Sequence, residues 1–414
     1  MKITQTASLI LLGGVASAML MGQASALEAK AFIDRVATVY KAVGYDLQFG
    51  PATLDGDTVI VDGVTVALVN SIEGIDPATF ETEVTFWGVA ELADGGYTAQ
   101  SVTIADIDAD FAADPVGHIA LSDIVIEGLY LPGGEAVPAA AALQLVQSIS
   151  TGPLSLTRDG VEVLAIDSME AGSTISPSQG SAALTDISST LAIRGIALNL
   201  APLSAEDPAA GAMLEALGLT GISGDVTQDV TWTIADGRVS INEFLFDFVD
   251  VGALDITGEV LGLTPAVLDQ IQAMQTAMAA GGEATSEQQQ AQMMSGMAIM
   301  QGVSIVGASV RYDDASLAGS LLDTFAEQSG ADRASFVAGL KATLPGLIAQ
   351  SGIPALNDLV VPALSEFLDS PESLEASIAP ASPTSVLVLM AAAANPASLI
   401  TALGLSIQAN QPVE

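Results

Sequence analysis

Val239-Ser240-Ile241-Asn242-Glu243-Phe244-Leu245-Phe246 is the stretch on which the fold turns. Val239 and Ile241 alternate with a polar residue, two residues intervene, and Phe244 and Phe246 alternate again. A straight strand sends successive side chains to opposite faces, so a two-residue gap would carry the second pair to the far side. Asn242-Glu243 is a poor two-residue turn, and the spacing therefore predicts a β-bulge that keeps all four side chains on one face. The same spacing occurs at Val59, Val61, Val64, Val66, at Val102, Ile104, Ile107, Ala109, at Ile119, Leu121, Ile124, Ile126 and at Leu191, Ile193, Ile196, Leu198. Asp62-Gly63 and Arg194-Gly195 suit a tight turn as well as a bulge, whereas Ser122-Asp123 favours the bulge. A sheet of many bulged strands curls, and its apolar concave face either holds an apolar ligand or wraps around helices that fill it.

Outward from this stretch, Val230, Trp232 and Ile234 alternate ahead of Asp236-Gly237, which predicts a hairpin. Period-two patterning runs from Tyr45 to about Leu131 and again from Leu154 to Ile256, with an alanine-rich helix expected near Pro138 to Ile149. A leading helix is expected from Glu28 to Val43, because Phe32, Val36, Val39, Tyr40 and Val43 share one face and Gly44 supplies a left-handed stop. Asp207-Pro208 opens a short helix that ends at Gly218.

After Gly262 the pattern changes. Thr264-Pro265, Ser286 and Asp314 each open a helix, and others are expected from Arg333 to Gln350 and from Pro354 to Leu368, before a last strand at Leu405 to Ala409. The sequence thus predicts an α+β protein: a curved, bulged antiparallel β-sheet region over 27–263, followed by a mostly helical C-terminal region over 264–414.

The phrases Leu191-Ala192-Ile193-Arg194-Gly195-Ile196-Ala197-Leu198 and Ile119-Ala120-Leu121-Ser122-Asp123-Ile124-Val125-Ile126 resemble the repeats of AsmA-like bacterial envelope proteins. That resemblance implies a role in outer-membrane homeostasis and lipid movement. The chain departs from the family pattern in its helical end and in lacking a retained membrane anchor. As a whole it is also similar to uncharacterised secreted bacterial proteins.

Composition narrows the function. Ten Lys plus Arg stand against 49 Asp plus Glu, a net charge of -39, which repels phosphate backbones and anionic headgroups alike. The absence of cysteine removes disulfides, thiolate metal sites and cysteine nucleophiles, and the single histidine removes a multi-imidazole zinc site within one chain. Met1-Lys2, an apolar run from Ala7 to Met21 and small residues at Ala24 and Ala26 match a secretory leader cut after Ala26, so residues 1–26 are expected to be a signal peptide and the mature chain periplasmic or secreted.

Candidate sites are few. His118 follows Asp114-Pro115-Val116-Gly117, and no G-x-S-x-G elbow accompanies it. Asp106, Asp108, Asp110 and Asp114 have the spacing of part of a calcium loop, but Phe111 and Gly117 stand at its two most diagnostic positions; the alternation reads as the wet face of a strand. Met274, Met278, Met293, Met294, Met297 and Met300 fall in one short region, and thioethers suit a surface that adapts to varied apolar partners. Met274, Met278, Met293, Met297 and Met300 are the expected ligand-binding residues. The charge-free run from Ala376 to Val413 is divided by Asn395-Pro396 and reads as short helices rather than a membrane span. No cofactor and no nucleic acid are expected. The sequence points to a non-enzymatic periplasmic protein that binds a lipid-like apolar ligand or an envelope partner. A carboxylate-based hydrolase and a purely structural envelope protein are the alternatives.

Overall fold

The computed structural model describes residues 27–69, 78–113, 115–134, 137, 145–177, 185–202, 207–279, 286–350 and 353–412. Helix α1 (Ala29–Ala42) forms where the apolar spacing places it, and Gly44, at φ +105°, ends it. Strands β1 (Tyr45–Phe49) and β2 (Ala52–Asp55) lie end to end along β3 (Thr58–Leu68), which pairs with β4 (Ala78–Trp87). The short β5 (Ala90–Glu91) follows.

The next four strand positions are interrupted. β6 (Tyr97–Ile104) gives way to β7 (Ile107–Ala113), β8 (Val116–Leu121) to β9 (Ile124–Leu131), β10 (Ser148–Thr151) to β11 (Leu154–Arg158) and β12 (Val161–Ile166) to β13 (Ser168–Pro177). Longer strands follow: β14 (Thr185–Asn199), β15 (Gly221–Thr233), β16 (Arg238–Phe248), β17 (Gly252–Leu261) and β18 (Ser304–Asp314). β19 (Ser373–Ile378), the two-residue β20 (Thr384–Ser385) and β21 (Leu405–Ala409) complete the sheet.

All of these strands belong to one open sheet in which every pairing is antiparallel. The spatial order is β3, β4, β6, β9, β10, β13, β14, β15, β16, β17, β18, β19, β21. Strands β7, β8, β11 and β12 form a second panel beyond the interruptions and rejoin the main sheet at β14, where Leu164 faces Leu198. Neighbours in space are largely neighbours in sequence, as short antiparallel connections require.

Interruptions and bulges line up across adjacent strands. They fall at Gly63 on β3, Ala105-Asp106, Ser122-Asp123, Gly152-Pro153, Asp167, and Arg194-Gly195 on β14. Backbone bonds stitch the line together: Ala105 N–H to the Glu83 carbonyl at 2.9 Å, Gly152 N–H to Ser122 at 2.9 Å, and Asp167 N–H to Arg194 at 2.9 Å. Aspartates complete it, Asp106 accepting from the Asp123 N–H at 3.3 Å and Asp225 from the Gly195 N–H at 2.8 Å. Short acceptors suit these places, because a bulge leaves backbone donors without ladder partners. A second line of shifts crosses β16, β17 and β18, with Asn242 as the extra residue on β16 and Val306 on β18.

The expected bulge at Asn242-Glu243 is therefore present, and so is the shift at Arg194-Gly195. Ser122-Asp123 differs: it is a break between β8 and β9, with Asp123 in the left-handed region at φ +54°. Aspartate tolerates that region better than most residues. The helix expected near Pro138 to Ile149 falls partly on 138–144, outside the described residues, and its end is strand: Ser148 and Ile149 belong to β10 and pair with β9 and β13.

The helices after α1 are α2 (Pro208–Ala216), α3 (Pro265–Ala279), α4 (Ser286–Gly302), α5 (Leu317–Ser329), α6 (Arg333–Gln350), α7 (Asn357–Asp369), α8 (Val386–Ala392) and α9 (Pro396–Leu403). Asp207 caps α2 by accepting from Ala209 and Ala210, and Gly330, at φ +72°, closes α5. Strand β17 ends at Leu261 and α3 begins at Pro265. The sheet nonetheless runs on through that point, since β18 pairs with β17 and carries β19 and β21 with it.

The largest buried cluster lies under α1. Phe32, Val36 and Val39 pack on Val59, Val61, Val84, Phe86, Tyr97 and Leu131, with the Phe32 ring edge-on to Phe86 and Tyr97 at 5.0 and 5.5 Å. A smaller cluster joins Ile187, Trp232 and Ile234 to Val239 and to Leu268 of α3, and the Trp232 indole donates to the Leu263 carbonyl at 2.9 Å.

Candidate functional site: one apolar face of the sheet

Directly paired residues share a face, so the register identifies what each side presents. Val59, Phe86, Val102, Ile126, Ile149, Ala171 and Leu191 stand opposite one another in turn from β3 to β14. A second row runs Met169, Ile193, Val226, Phe246, Leu254, Tyr312, Leu374 and Ala409, from β13 to the last strand β21. A third, shorter row is Ile256, Val310, Ala376 and Ile407. The bulges put Ile196 and Leu198 on the same side as Leu191 and Ile193, and Phe244 and Phe246 on the same side as Val239 and Ile241. The parity problem in the sequence is solved in favour of one predominantly apolar face, on which Gln228 stands between Leu191 and Phe244.

The other face is polar. Glu127, Ser148, Gly172, Thr190, Asp229 and Glu243 form one row across it, and Asp225 and Asp247 stand opposite each other in another. Hydroxyl pairs lie across the strands there, Thr65 with Thr79 at 2.9 Å and Thr257 with Ser309 at 2.9 Å. Asn242 donates to Asp229 at 2.7 Å, which offsets the repulsion between Asp229 and Glu243. Arg311 is held between Asp313, at 2.6 Å, and Glu375, at 3.7 Å, and donates to the Gln411 carbonyl. Two open depressions mark this polar side, about 530 Å³ over β16 to β19 with Gly307 in its floor and about 480 Å³ over β10 to β14 with Gly172 in its floor.

What covers the apolar face decides whether it is core or site. Among the described residues, helices pack on the sheet at its two ends, α1 on β1, β2 and β9, and α7, α8 and α9 on β19, β20 and β21, and between them Leu268 of α3 packs on Ile187, Trp232, Ile234 and Val239. Between the ends Ile187, Ile196, Val226 and Trp232 are buried, most of the other apolar side chains are half-buried, and two are open, Ile149 at 37% exposure and Val310 at 45%. Phe244 and Phe246 lie ring to ring at 4.7 Å in this span. Tyr312 closes one end of it, its hydroxyl 2.8 Å from the Val251 carbonyl and 2.7 Å from Asp314. Burial, and then the bond to Asp314, hold that phenol well above its ordinary value.

The methionines stand elsewhere. Met274 is half-buried on α3, and Met278 lies on the same helix with a side chain outside the described set. Met293 and Met297 are open on α4, at 62% and 46% exposure, with Met294 beside them, and Met300 is half-buried near the helix end. Helix α4 packs on α3 and α8 and meets the sheet at β20. The five methionines are thus carried on two helices beside the sheet. The residues that line the apolar face, such as Leu191, Ile193, Phe244 and Phe246, belong to the spacing pattern itself, which is the signal that finds them.

His118 sits on β8 with its Nδ1 2.9 Å from Asp110 and its Nε2 3.3 Å from Asp108, both carboxylates on β7 and both open to solvent. Asp108 and Asp110 occupy the wet side of that strand, and Asp114 lies outside the described residues. Among the described residues no group of three or more acidic or histidine side chains is arranged to hold a metal ion.

The fold and this face together define an α+β protein built on one open antiparallel sheet, apolar on one side and carboxylate-bearing on the other. A family model described as an uncharacterized protein matches residues 245–410, from within β16 to just past β21. No curated protein matches the chain. No described helix is long and apolar enough to cross a membrane.

Proposed function

We propose that the protein is exported by a cleaved leader over residues 1–26 and, in the periplasm or outside the cell, holds a lipid-like apolar ligand against the apolar face of its sheet without chemical change. The observation that carries this reading is the predominantly apolar face from β3 to β21, which the described helices cover at its two ends and at Leu268 and along which Ile149 and Val310 stay open. A contiguous apolar area of that extent is what ligand grooves present and what surfaces without partners avoid. The aligned bulges and breaks support a sheet that curls about its apolar side, since each one bends its strand. The AsmA-like spacing of the strands agrees with a role in holding or moving lipid.

Two measurements test the reading. Native mass spectrometry of protein purified from its producing cells should find a co-purified lipid. Replacing Ile149, Leu191 and Val310 by threonine preserves β-propensity and lowers apolarity, so it should weaken binding of a neutral fluorescent naphthylamine probe at least about fivefold while secondary structure is kept. Unchanged probe binding in that variant would sink the proposal.

A second reading, docking of an envelope protein, rests on Met293, Met294 and Met297 of α4 with Val388 and Met390 of α8. All five are open to solvent, on helices that pack together. Glutamine at Met293 and Met297 should abolish capture of such a partner and leave probe binding intact; loss of probe binding in this variant would instead place the ligand at the methionines.

A further inference from the structure

We infer that the ligand is an amphiphile whose headgroup carries no net negative charge. The inference rests on the proposed apolar site and concerns what that site accepts. Among the described residues, the sheet is a single layer away from its helix-covered ends and Leu268, so the groups on its polar side stand only about 10 Å from a molecule lying on its apolar side there. Those groups are overwhelmingly acidic: Glu127, Glu170, Asp229, Glu243, Asp247 and Asp255 lie on the polar face of β9 to β17. Cations do not balance them. Arg238 is already paired with Asp236 and Glu259, Arg311 stands opposite Asp255 but is shared with Asp313 and Glu375, and Arg194 is a single positive charge.

An anionic headgroup at the edge of the apolar face would therefore meet several like charges within about one Debye length at moderate salt, with one layer of backbone and little water between them. A zwitterionic, neutral or cationic head escapes that repulsion, and a cationic one gains from it. The bound chain gives affinity by burying apolar area, and the charges behind the sheet sort the heads.

The test is competition against the neutral naphthylamine probe on the full chain, with lysophosphatidylcholine and lysophosphatidylglycerol of equal acyl length, each below its micelle concentration. At low salt the zwitterionic lipid should compete about tenfold better, and in molar NaCl the gap should close to about twofold or less. Replacing Glu127, Glu170 and Glu243 by glutamine, all exposed and none on the apolar face, should narrow the low-salt gap to about threefold with probe binding unchanged. Equal competition at low salt, or tighter anionic binding, overturns the inference while leaving the apolar site standing. Absence of any probe binding removes the site and this inference with it.

Discussion

At Gly195 the backbone is left-handed, φ +65°, and the Asp167 carboxylate occupies the place where a Cβ would stand. The residue is needed twice over, for its conformation and for its emptiness. Gly195→Ala is expected to destabilise the protein by about 1–3 kcal/mol, read as a lower thermal midpoint with unchanged far-ultraviolet dichroism at low temperature. Tyr312 makes a different point at the same scale. Its folded-state pKa lies above the value of 10.0 that it has when free, so its contribution to stability is complete below about pH 10 and is lost as pH rises through the folded value. Tyr40 and Tyr97 are also held up, chiefly by burial, and act in the same direction. The loss of stability between pH 9 and 11.5 should therefore be shallower in Tyr312→Phe than in the native chain, and chemical denaturation across that window checks it. An identical slope in both would count against the hydrogen-bonded phenol.

Among the elements, α1 and α4 are opposites. Helix α1 buries Phe32 completely against Phe86 and Tyr97, and Phe32→Ala should cost about 3–5 kcal/mol, measured by denaturant titration. Helix α4 has little apolar face of its own and leaves Met293 and Met297 in solvent. Glutamine at both should change stability by no more than about 0.5 kcal/mol each, because neither side chain is withdrawn from water. A large destabilisation there would mean that the two methionines are packed in solution. The contrast separates a helix that exists to close one end of the sheet from one that is free to meet something else.

For the whole molecule, electrostatics and topology pull against each other. A net charge of -39 is spread over a sheet that already sets Asp229 opposite Glu243 and Asp225 opposite Asp247. Self-repulsion of that kind weakens the folded state and is screened by salt. The thermal midpoint is therefore expected to rise between low and molar NaCl, and scanning calorimetry in the two buffers measures it; an unchanged or lower midpoint would show that the carboxylates are already neutralised by local partners. The meander topology adds its own feature. Among the described residues, both ends of the sheet carry helices while its middle carries the smaller cluster of Trp232 and Leu268, so the larger part of the buried core lies at the α1 end.

Local pattern alone determined much of this. Period-two alternation, the caps at Asp207 and Asp314, the glycines at 44 and 330 and the repeated two-residue gap are short-range signals, and each acts through its own backbone geometry. The structure decided what short-range signals do not contain. Whether a gap is a bulge, as at Asn242, or a break, as at Ser122-Asp123, depends on the strand lying alongside, because only the neighbour's register says if an extra residue can be absorbed. The methionines drew attention by composition, yet composition says nothing about which face of α4 meets the sheet. That four C-terminal strands extend the same sheet past residue 263, and that the described helices cover its apolar side at the two ends and at Leu268, are matters of long-range pairing. No window of sequence holds both partners of such a contact.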